Sequence, residues 1–400
     1  MNFIFISPYF PYTYWQFCDR LRRNGVNVLG IGDASYDSLS QQLKNSLTEY
    51  YRVDSLEDYG QVYRAVAYFA FHYGKPDWLE SNNEYWLEQD ARLRTDFHIT
   101  TGIQADEIGG WKHKSSMKPL YAKAGIPTAR CHKVSDRRNA KQFITRNGGY
   151  PVIAKPDVGV GASNTWKLEN DADLDNFFRE KPDVPYLIEE FVEGDIFSYD
   201  AISDSQGEPL FESMTAWPPS IADIVNKNLD LSYYVCAEVP EALKDLGRKA
   251  LKAFNVRSRF VHLEFFRLKK ARKGLGEVGD YVALEVNMRP AGGYTPDMMN
   301  FAHSTDCYQI WADMVTQDKR VLPPSGDDHW CVYAGRKEWL FEYVHSHEEI
   351  LAKYGNKIVM YEHMPELMWA TMGNHSFTAH AYSVEEVEEF INFVQARKEA

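Results

Sequence analysis

Two neighbouring runs of alternating residues, Phe260–Leu268 and Tyr281–Arg289, constrain the fold of this chain more than any other feature. Both runs are rich in aromatic and β-branched residues, and a charged, glycine-rich segment of the kind that closes a hairpin joins them. If the strands pair antiparallel with Glu264 opposite Glu285, the alternation of side chains gives the hairpin one polar and one apolar face. We therefore predict an antiparallel pair whose apolar face lies in the core.

The polar face of this hairpin carries residues suited to a metal ion. In the predicted register His262 falls opposite Asn287, beside the two glutamates. Carboxylates with Cβ atoms about 5 Å apart repel each other unless a cation lies between them, and Glu and Asn oxygens are ligands that Mg²⁺ accepts alongside substrate phosphates. A solvated polar face is the alternative, although Gly292 and Gly293 leave room for a ligand just beyond the second strand. The predicted apolar faces consist of Val261, Leu263 and Phe265 on the first strand and Val282, Leu284, Val286 and Met288 on the second.

The composition argues against several classes of protein. With 44% hydrophobic residues, including 22 Phe, 25 Tyr and 10 Trp, the 400 residues suffice for a core and for two to three domains. The net charge of −13 disfavours nucleic acid and anionic membranes as partners. Five widely spaced cysteines without a CxxC pair indicate neither a disulfide framework nor a zinc site. No apolar run is long enough to span a membrane and Met1–Phe10 is too short for a signal peptide, so we predict a soluble, cytoplasmic protein.

A strand–helix–strand pattern opens the chain. A short apolar run at residues 3–6 precedes a helical stretch that ends at Gly25, and Val26–Ile31 follows as a second strand. Such a βαβ unit predicts a parallel sheet. Much later in the chain, Pro323 and Pro324 indicate a boundary before a smaller α+β segment.

A glycine-containing segment follows the apolar strand that ends at Lys155. Its sequence, KPDVGVGAS, allows backbone N–H groups to approach phosphate oxygens, and the lysine would compensate their charge. The lysine precedes the glycines and no GK[ST] follows, so the segment is not a Walker A loop. An ordinary glycine-containing β-turn is the alternative.

A third segment, Tyr186–Asp200, has the pattern of a strand, a turn at Gly194 and a second strand. Exposed backbone groups at such a turn can bind the edge of an adenine, and an acidic residue just past the turn can hold ribose hydroxyls. A charged loop between two ordinary strands is the alternative.

The order of these elements resembles the ATP-grasp superfamily, and within it the carboxylate–amine (amino-acid) ligases whose ATP-grasp domain is like that of biotin carboxylase. HKSSMKPLYAKAGIPTAR resembles the entry motif of the family, PVIAKPDVGVGAS its second lysine strand and glycine loop, and IEEFVEG its adenine hinge. FVHLEFF and LEVNMRPAGG resemble the two metal-binding strands, and SNNEYWLEQDARLR resembles the end of the preceding domain. The resemblance covers nearly the whole chain.

The resemblance implies a protein of mixed α/β and α+β class. Residues 1–105 would form an open parallel α/β (pre-ATP-grasp) domain, and a two-lobed ATP-grasp fold would follow. Its small lobe, residues 106–185, would carry the glycine loop, and its large lobe, residues 186–324, would carry the metal site. Residues 325–400 would form a C-terminal α+β segment that closes the site.

The resemblance also implies roles for individual residues. Lys114 and Lys155 would contact the α- and β-phosphates of ATP, and Arg289 would steady the acyl phosphate, so Lys155 and Arg289 are the expected catalytic residues. Three oxygen ligands would hold Mg²⁺ or Mn²⁺: Glu264, Glu285 and Asn287. The glycine loop and the hinge would bind the nucleotide through Gly159, Gly161, Ala162, Ser163, Glu189, Glu190, Phe191 and Val192.

The chain departs from the family pattern at three places. His113 stands where an Asp usually precedes the first lysine. Ile196 occupies the usual position of the ribose-binding acid, so we assign that role to the neighbouring Asp195. The glycine loop is short of glycines, with Gly159 and Gly161 alone.

The substrate pocket is predicted from position along the chain. Glu84 stands where related ligases carry a Glu, and Gly292 and Gly293 open a segment expected to line the acceptor pocket. Trp217, in the loop TAWPPSIADIVNKN, is either a wall of this pocket or a packed loop residue. His262 is either a hydrogen-bond partner of a metal carboxylate or a satisfied core histidine.

The implied reaction is the ATP-dependent ligation of a small-molecule carboxylate to an amine through an acyl phosphate, with release of ADP and phosphate. Three alternatives remain: a carboxylase that uses bicarbonate, an acyl–thiol ligase, and a non-catalytic nucleotide-binding module. Retention of Arg289 speaks against the module, because binding alone does not require it. A homodimer is the candidate assembly, with neither nucleic acid nor membrane as a partner.

Overall fold

A four-stranded parallel sheet forms the N-terminal part of the protein, as the βαβ pattern predicts. The computed structural model describes residues 1–159, 164–218 and 228–398. The first strands pair in parallel in the order β3-β2-β1-β4. The elements are β1 (Asn2–Ile6), α1 (Trp15–Arg23), β2 (Asn27–Gly32), α2 (Gln41–Ser46), β3 (Glu49–Arg52), α3 (Tyr59–Tyr73), β4 (Trp78–Glu80) and α4 (Leu87–Asp96).

A second, antiparallel sheet of four strands follows, in the order β5-β8-β6-β7. Gly125, with a φ of +70°, follows the helix that enters this part of the chain. The elements are α5 (Gly109–Lys112), α6 (Lys114–Lys123), β5 (Cys131–Lys133), α7 (Arg137–Arg146), β6 (Val152–Pro156), β7 (Trp166–Leu168), α8 (Asp171–Glu180) and β8 (Tyr186–Glu190).

An eight-stranded antiparallel sheet occupies the rest of the chain, in the order β13-β12-β9-β10-β11-β14-β16-β15. Its first elements are β9 (Gly194–Ser203), β10 (Pro209–Ala216), β11 (Ser232–Val235), α9 (Glu241–Ala253), β12 (Arg259–Leu268), β13 (Tyr281–Asn287), α10 (Thr295–Ala302) and α11 (Cys307–Gln317). The elements beyond Pro324 are β14 (Trp330–Arg336), α12 (His347–Tyr354), β15 (Ile358–His363), α13 (Trp369–Met372), β16 (His375–Ala381) and α14 (Val384–Val394). The strands of the C-terminal segment therefore continue the sheet that contains the β12–β13 hairpin.

The register of the β12–β13 hairpin is the predicted one, with Glu264 opposite Glu285 and His262 opposite Asn287. One detail of the prediction is wrong. A bulge shifts the register between Glu264 and Phe265, and the extra residue on β13 is Leu284. A bulge reverses the alternation of side chains on the bulged strand. As a result, Ala283 rather than Val282 or Leu284 joins Val286 and Met288 in the core, and Val282 packs on the other face.

The large aromatic core connects the N-terminal sheet to the rest of the chain. Trp311 on α11 is 2% exposed and lies edge-on to Phe3, Phe5 and Phe17. The same cluster includes residues as distant in sequence as Tyr333 and Met372. Within the described residues, no helix is both long and apolar enough to cross a membrane.

Candidate active site

The polar face of the β12–β13 hairpin is the centre of the site. Asn287 is 6% exposed and lies opposite His262 in the strand register. Burial by itself would raise the pKa of Glu264, but the hydrogen bond from His262 and the charges of Arg289 and Lys155 bring it below its usual value. Glu264 is therefore ionised at neutral pH, which makes this face a source of carboxylate oxygens.

Lys114 lies between this face and the glycine segment. It is the first residue of α6 and is 6% exposed. Its Nζ is 2.9 Å from Oε1 of Glu285 and donates a 3.1 Å hydrogen bond to the carbonyl of Gly159. The remaining predicted residues of the glycine loop, Gly161, Ala162 and Ser163, lie outside the described residues.

Lys155 pairs with the hinge residue Glu189 and shares it with a lysine that the sequence did not reveal. Nζ of Lys155 is 2.8 Å from Oε2 of Glu189, and Nζ of Lys118 is 2.9 Å from Oε1. Burial would raise the pKa of Glu189, but the two lysines lower it. For Lys118 the effect of burial is larger than that of Glu189, so the pKa of its amine is lowered. Its position, one helical turn after Lys114 on α6, is the signal that could have identified it.

The hinge after β8 is fixed by two arginines. Arg130 binds the Glu190 carboxylate through Nε at 3.0 Å and Nη2 at 2.6 Å, and Nε of Arg272 lies 2.8 Å from the same carboxylate. Arg272 also donates a 2.6 Å hydrogen bond to the carbonyl of Phe191. The backbone N–H of Glu190 donates to the carbonyl of Arg130. Within the described chain the backbone groups of Val192 make no hydrogen bond, so they remain available to a ligand.

The assignment of Asp195 as the ribose ligand is contradicted by the sheet register. Asp195 pairs with Arg267 in β12, whereas Ile196 pairs with Phe266, which shares a face with Glu264. Because side chains alternate along a strand, Asp195 lies on the opposite face of the sheet from Glu264. Its carboxylate is 2.5 Å from Nζ of Lys269.

His262 bridges two carboxylates beneath the site. Its Nδ1 is 2.7 Å from Oδ1 of Asp200, and its Nε2 is 3.3 Å from Oε1 of Glu264. Burial would lower the pKa of this imidazole, but Asp200 and Glu264 raise it to about 9. Of the two interpretations of His262, the structure supports the partner of a predicted metal carboxylate, although the residue is also buried.

Glu84 brings the N-terminal part of the chain into the site. It begins a short 3₁₀ helix, is 8% exposed, and its Oε2 is buried without a hydrogen-bond partner in the part of the chain that the structure describes. Burial raises its pKa to about 7, with Arg289 lowering it and Glu285 raising it. Arg289 is thus within electrostatic reach of Glu84, and its guanidinium donates to the carbonyl of Pro290 at 2.8 Å.

The predicted substrate residues beyond the hairpin lie around an aromatic stack. Trp217 stacks on Tyr233 with ring centroids 4.5 Å apart and meets the edge of His262 at 6.0 Å. Its indole Nε1 is buried and has no partner among residues 1–159, 164–218 and 228–398. Gly293 has a φ of +63°, and a Cβ at Gly292 would meet no atom within 4 Å. Trp217 is therefore packed but retains a free donor, and Gly292 borders open space.

Comparison with known proteins identifies the domain that carries the β12–β13 hairpin of this site. The family model of the ATP-grasp domain matches residues 148–296. Three solved structures share the fold over nearly the whole chain. The L-amino acid ligase from Bacillus licheniformis has a TM-score of 0.71 at 15% identity and covers 98% of this chain and 96% of its own. N5-carboxyaminoimidazole synthetase from Staphylococcus aureus has a TM-score of 0.72 at 13% identity, with coverages of 98% and 96%.

The third structure is the biotin carboxylase domain dimer of the 2-oxoglutarate carboxylase from Hydrogenobacter thermophilus, in complex with MgADP, ADP and bicarbonate. It has a TM-score of 0.68 at 15% identity and covers 99% of this chain and 90% of its own. Sequence identities of 13–15% support a shared fold with these proteins.

Proposed function

We propose that this chain, which belongs to the ATP-grasp superfamily, is an ATP-dependent ligase that joins a small-molecule carboxylate to an amine and releases ADP and phosphate. The observation that carries the proposal is the meeting of buried lysines with a set of oxygen ligands. Lys114 contacts Glu285 directly. Burial would lower the pKa of Lys155, but Glu189, Glu285 and Glu264 together raise it. Such a mixture of cations and carboxylates suits a polyanion that carries a divalent cation.

The donor set fits Mg²⁺. Glu264 and Glu285 face each other across the hairpin, and Asn287 follows Glu285 by two residues on the same strand. All three provide hard oxygen ligands, which Mg²⁺ prefers. When bound, Mg²⁺ would neutralise charge on the phosphates and so favour phosphoryl transfer.

The basic residues would act on ATP and on the acyl phosphate. A carboxylate is a poor electrophile, so its oxygen first attacks the γ-phosphorus, and the bond from that phosphorus to the ADP oxygen breaks. Lys114 and Lys155 would hold the phosphates during this step. Arg289 would stabilise the negative charge on the transferred group and on the resulting acyl phosphate. The amine then attacks the acyl carbon, and phosphate leaves.

Glu84 is suited to the second half of this reaction. An alkylammonium ion cannot attack until it loses a proton, and a buried carboxyl group with a pKa of about 7 can take that proton near neutral pH. Oε2 of Glu84 offers an acceptor for which no described residue competes as a donor. In its ionised form the same carboxylate would attract the ammonium group of the second substrate. We therefore assign Glu84 to the binding and deprotonation of the amine.

Phosphate release from ATP and Mg²⁺ over a panel of amino acids, offered singly and in pairs, tests the proposal. Release that requires both a carboxylate and an amine, with an amide detected by mass spectrometry, is the expected result. Hydroxylamine in place of the amine should trap the acyl phosphate as a hydroxamate. Asp195→Asn is a matched control, because Asp195 lies on the opposite face of the sheet and its loss should leave turnover unchanged.

Separate reactions distinguish the alternative functions. Release that depends on bicarbonate, with no other carboxylate present, would replace the proposal with a carboxylase. Release that depends on a thiol, with a thioester product, would replace it with an acyl–thiol ligase. Nucleotide binding without turnover in any reaction would leave a binding module.

A further inference from the structure

A second candidate metal site lies in the C-terminal segment, on elements that the proposed ligase reaction does not use. One ligating atom each from Glu338, His347 and His375 lies within 4.8 Å of the other two. Glu338 follows β14, His347 is the first residue of α12, and His375 is the first residue of β16. Three separate elements of the C-terminal segment thus present two imidazoles and one carboxylate to a common point.

The distances within this group are close to those of a tetrahedral transition-metal site. Nε2 of His347 is 2.6 Å from Oε1 of Glu338, and Nε2 of His375 is 3.6 Å from Oε2. Zinc bonds of about 2.0–2.1 Å at a tetrahedral angle place ligand atoms about 3.3 Å apart. The two observed distances lie on either side of that value and each differs from it by less than about 1 Å. The three side chains are 22–25% exposed, so small rotations can close this difference.

The surroundings of the group also favour a metal ion. Nδ1 of His347 is 2.6 Å from the hydroxyl of Tyr361, and Glu338 is held by a 2.7 Å hydrogen bond from its backbone N–H to Asn374. Such outer contacts orient the ligands and leave Nε2 of His347 as the atom facing the carboxylate. Nδ1 of His375 is buried and has no partner among the described residues, so His375 lacks the outer contact that His347 has. Arg336 opposes a cation here, since its Nε is 3.2 Å from Oε1 of Glu338, and the ring of His363 lies 4.7 Å from that of His375.

We propose that Glu338, His347 and His375 bind one Zn²⁺ or a similar borderline divalent ion, with water completing the coordination. Two imidazoles and a carboxylate select this class of ion over Mg²⁺, which requires oxygen ligands. The bound ion would fasten the start of α12 to the end of β14 and to β16. Since the ion binds the folded chain, it would also raise the temperature of unfolding.

Titration of the full-length, metal-free protein with Zn²⁺ against a chromophoric chelator, in excess Mg²⁺, tests the proposal. The excess Mg²⁺ would occupy the oxygen ligands of the hairpin under the proposed function, so that Zn²⁺ binding elsewhere is counted. We expect His347→Gln and His375→Gln each to weaken one binding step by about 100-fold or more, because loss of outer contacts alone typically costs 10–100-fold. His345→Gln, in the same segment but outside the group, should bind Zn²⁺ like the wild type.

Two further measurements use the same variants. Co²⁺ in place of Zn²⁺ should give the visible absorption of a tetrahedral site in the wild type and in His345→Gln, and not in His375→Gln. Zn²⁺ should raise the unfolding temperature of the wild type more than that of His347→Gln. If both His347→Gln and His375→Gln retain the wild-type stoichiometry and affinity for Zn²⁺, the group is a hydrogen-bonded cluster and the proposal is overturned.

Discussion

At the scale of single residues, Glu84 is the side chain whose chemistry depends most on its surroundings. The charged form of Glu84 is active in the proposed reaction, so kcat/KM for the amine should rise as the pH increases through about 7. We expect Glu84→Gln to lower this constant about 100-fold and to remove the rise near pH 7. The measurement is the pH profile of kcat/KM for the amine, with the carboxylate substrate and ATP saturating.

Glu88→Gln is the matched control for this prediction, because Glu88 is half exposed and contacts Lys112 at 2.9 Å. Its pH profile should equal that of the wild type.

The sign of the change in unfolding temperature distinguishes loss of the Glu84 carboxylate from a folding defect in Glu84→Gln. The pKa of Glu84 is higher in the folded protein than in the unfolded chain, so its ionisation destabilises the fold increasingly between about pH 4.5 and 7. Glu84→Gln should therefore unfold at a higher temperature than the wild type at pH 8. An unchanged pH profile in Glu84→Gln would rule out the proton-transfer role.

Arg289 gives the second prediction at this scale. Its guanidinium acts on Glu84 and Glu264 but forms no ion pair with a described residue, so its charge is free for the substrate. We expect Arg289→Ala to reduce kcat about 100-fold, or about 3 kcal/mol of transition-state stabilisation, while Kd for ATP stays within a factor of about two. Lys155→Ala should instead weaken ATP binding, as measured by calorimetry. Normal turnover in Arg289→Ala would contradict the role assigned to it.

At the scale of secondary structure, a row of charges crosses β9 and β12, and two of its three members are buried. Asp200, His262 and Glu264 form this row, and the pKa of His262 is raised to about 9. An imidazole whose pKa is higher in the folded protein stabilises it fully below about pH 6.5, and this contribution is lost as the pH rises through 9. We expect the free energy of unfolding to fall by up to about 3 kcal/mol over this interval. Denaturant unfolding at a series of pH values measures it.

His262→Gln should flatten that pH dependence, whereas His98→Gln, at an exposed position away from the row, should preserve it. An equal slope in the wild type and in His262→Gln would show that other groups cause the pH dependence.

Because Glu264 belongs to both the row and the proposed metal site, we also expect His262→Gln to raise the Mg²⁺ concentration required for turnover.

The hairpin shows what sequence patterns can and cannot predict. The pairing of Glu264 with Glu285 follows from the alternation of polar and apolar residues, which register must preserve. The bulge at Leu284 leaves no signal in composition, because Val282, Ala283 and Leu284 are all apolar and any of them can face the core. The error at Asp195 has a related origin. A shift of one residue along a strand moves a side chain to the opposite face of the sheet. Asp195 therefore cannot take the place of the acid that the family carries at the position of Ile196.

At the scale of the whole molecule, the sequence predicts the order of the segments along the chain better than the pairing of strands between those segments. Pro323 and Pro324 suggest a boundary, yet β14 pairs with β11 across it and the strands beyond continue the large sheet. Such pairings join residues about a hundred positions apart, and a local pattern does not specify the partner of a strand. The sequence pattern likewise does not predict the shared aromatic core, because this core depends on helix α11 packing beside α1.

This shared core leads to a prediction about cooperativity. Trp311 contacts Phe3 and Phe17 although it belongs to the helix after the hairpin. Truncation of a buried tryptophan typically lowers the free energy of unfolding by about 3–5 kcal/mol. Here the loss should destabilise both the N-terminal sheet and the large antiparallel sheet. We expect Trp311→Ala to lose hydrogen-exchange protection in β1 as well as in β12 and to unfold in a single transition. Trp339→Ala, at a position 39% exposed, should change neither. If β1 kept its wild-type protection in Trp311→Ala while β12 lost it, the N-terminal sheet would be an independently stable unit, and the shared core would not couple the two.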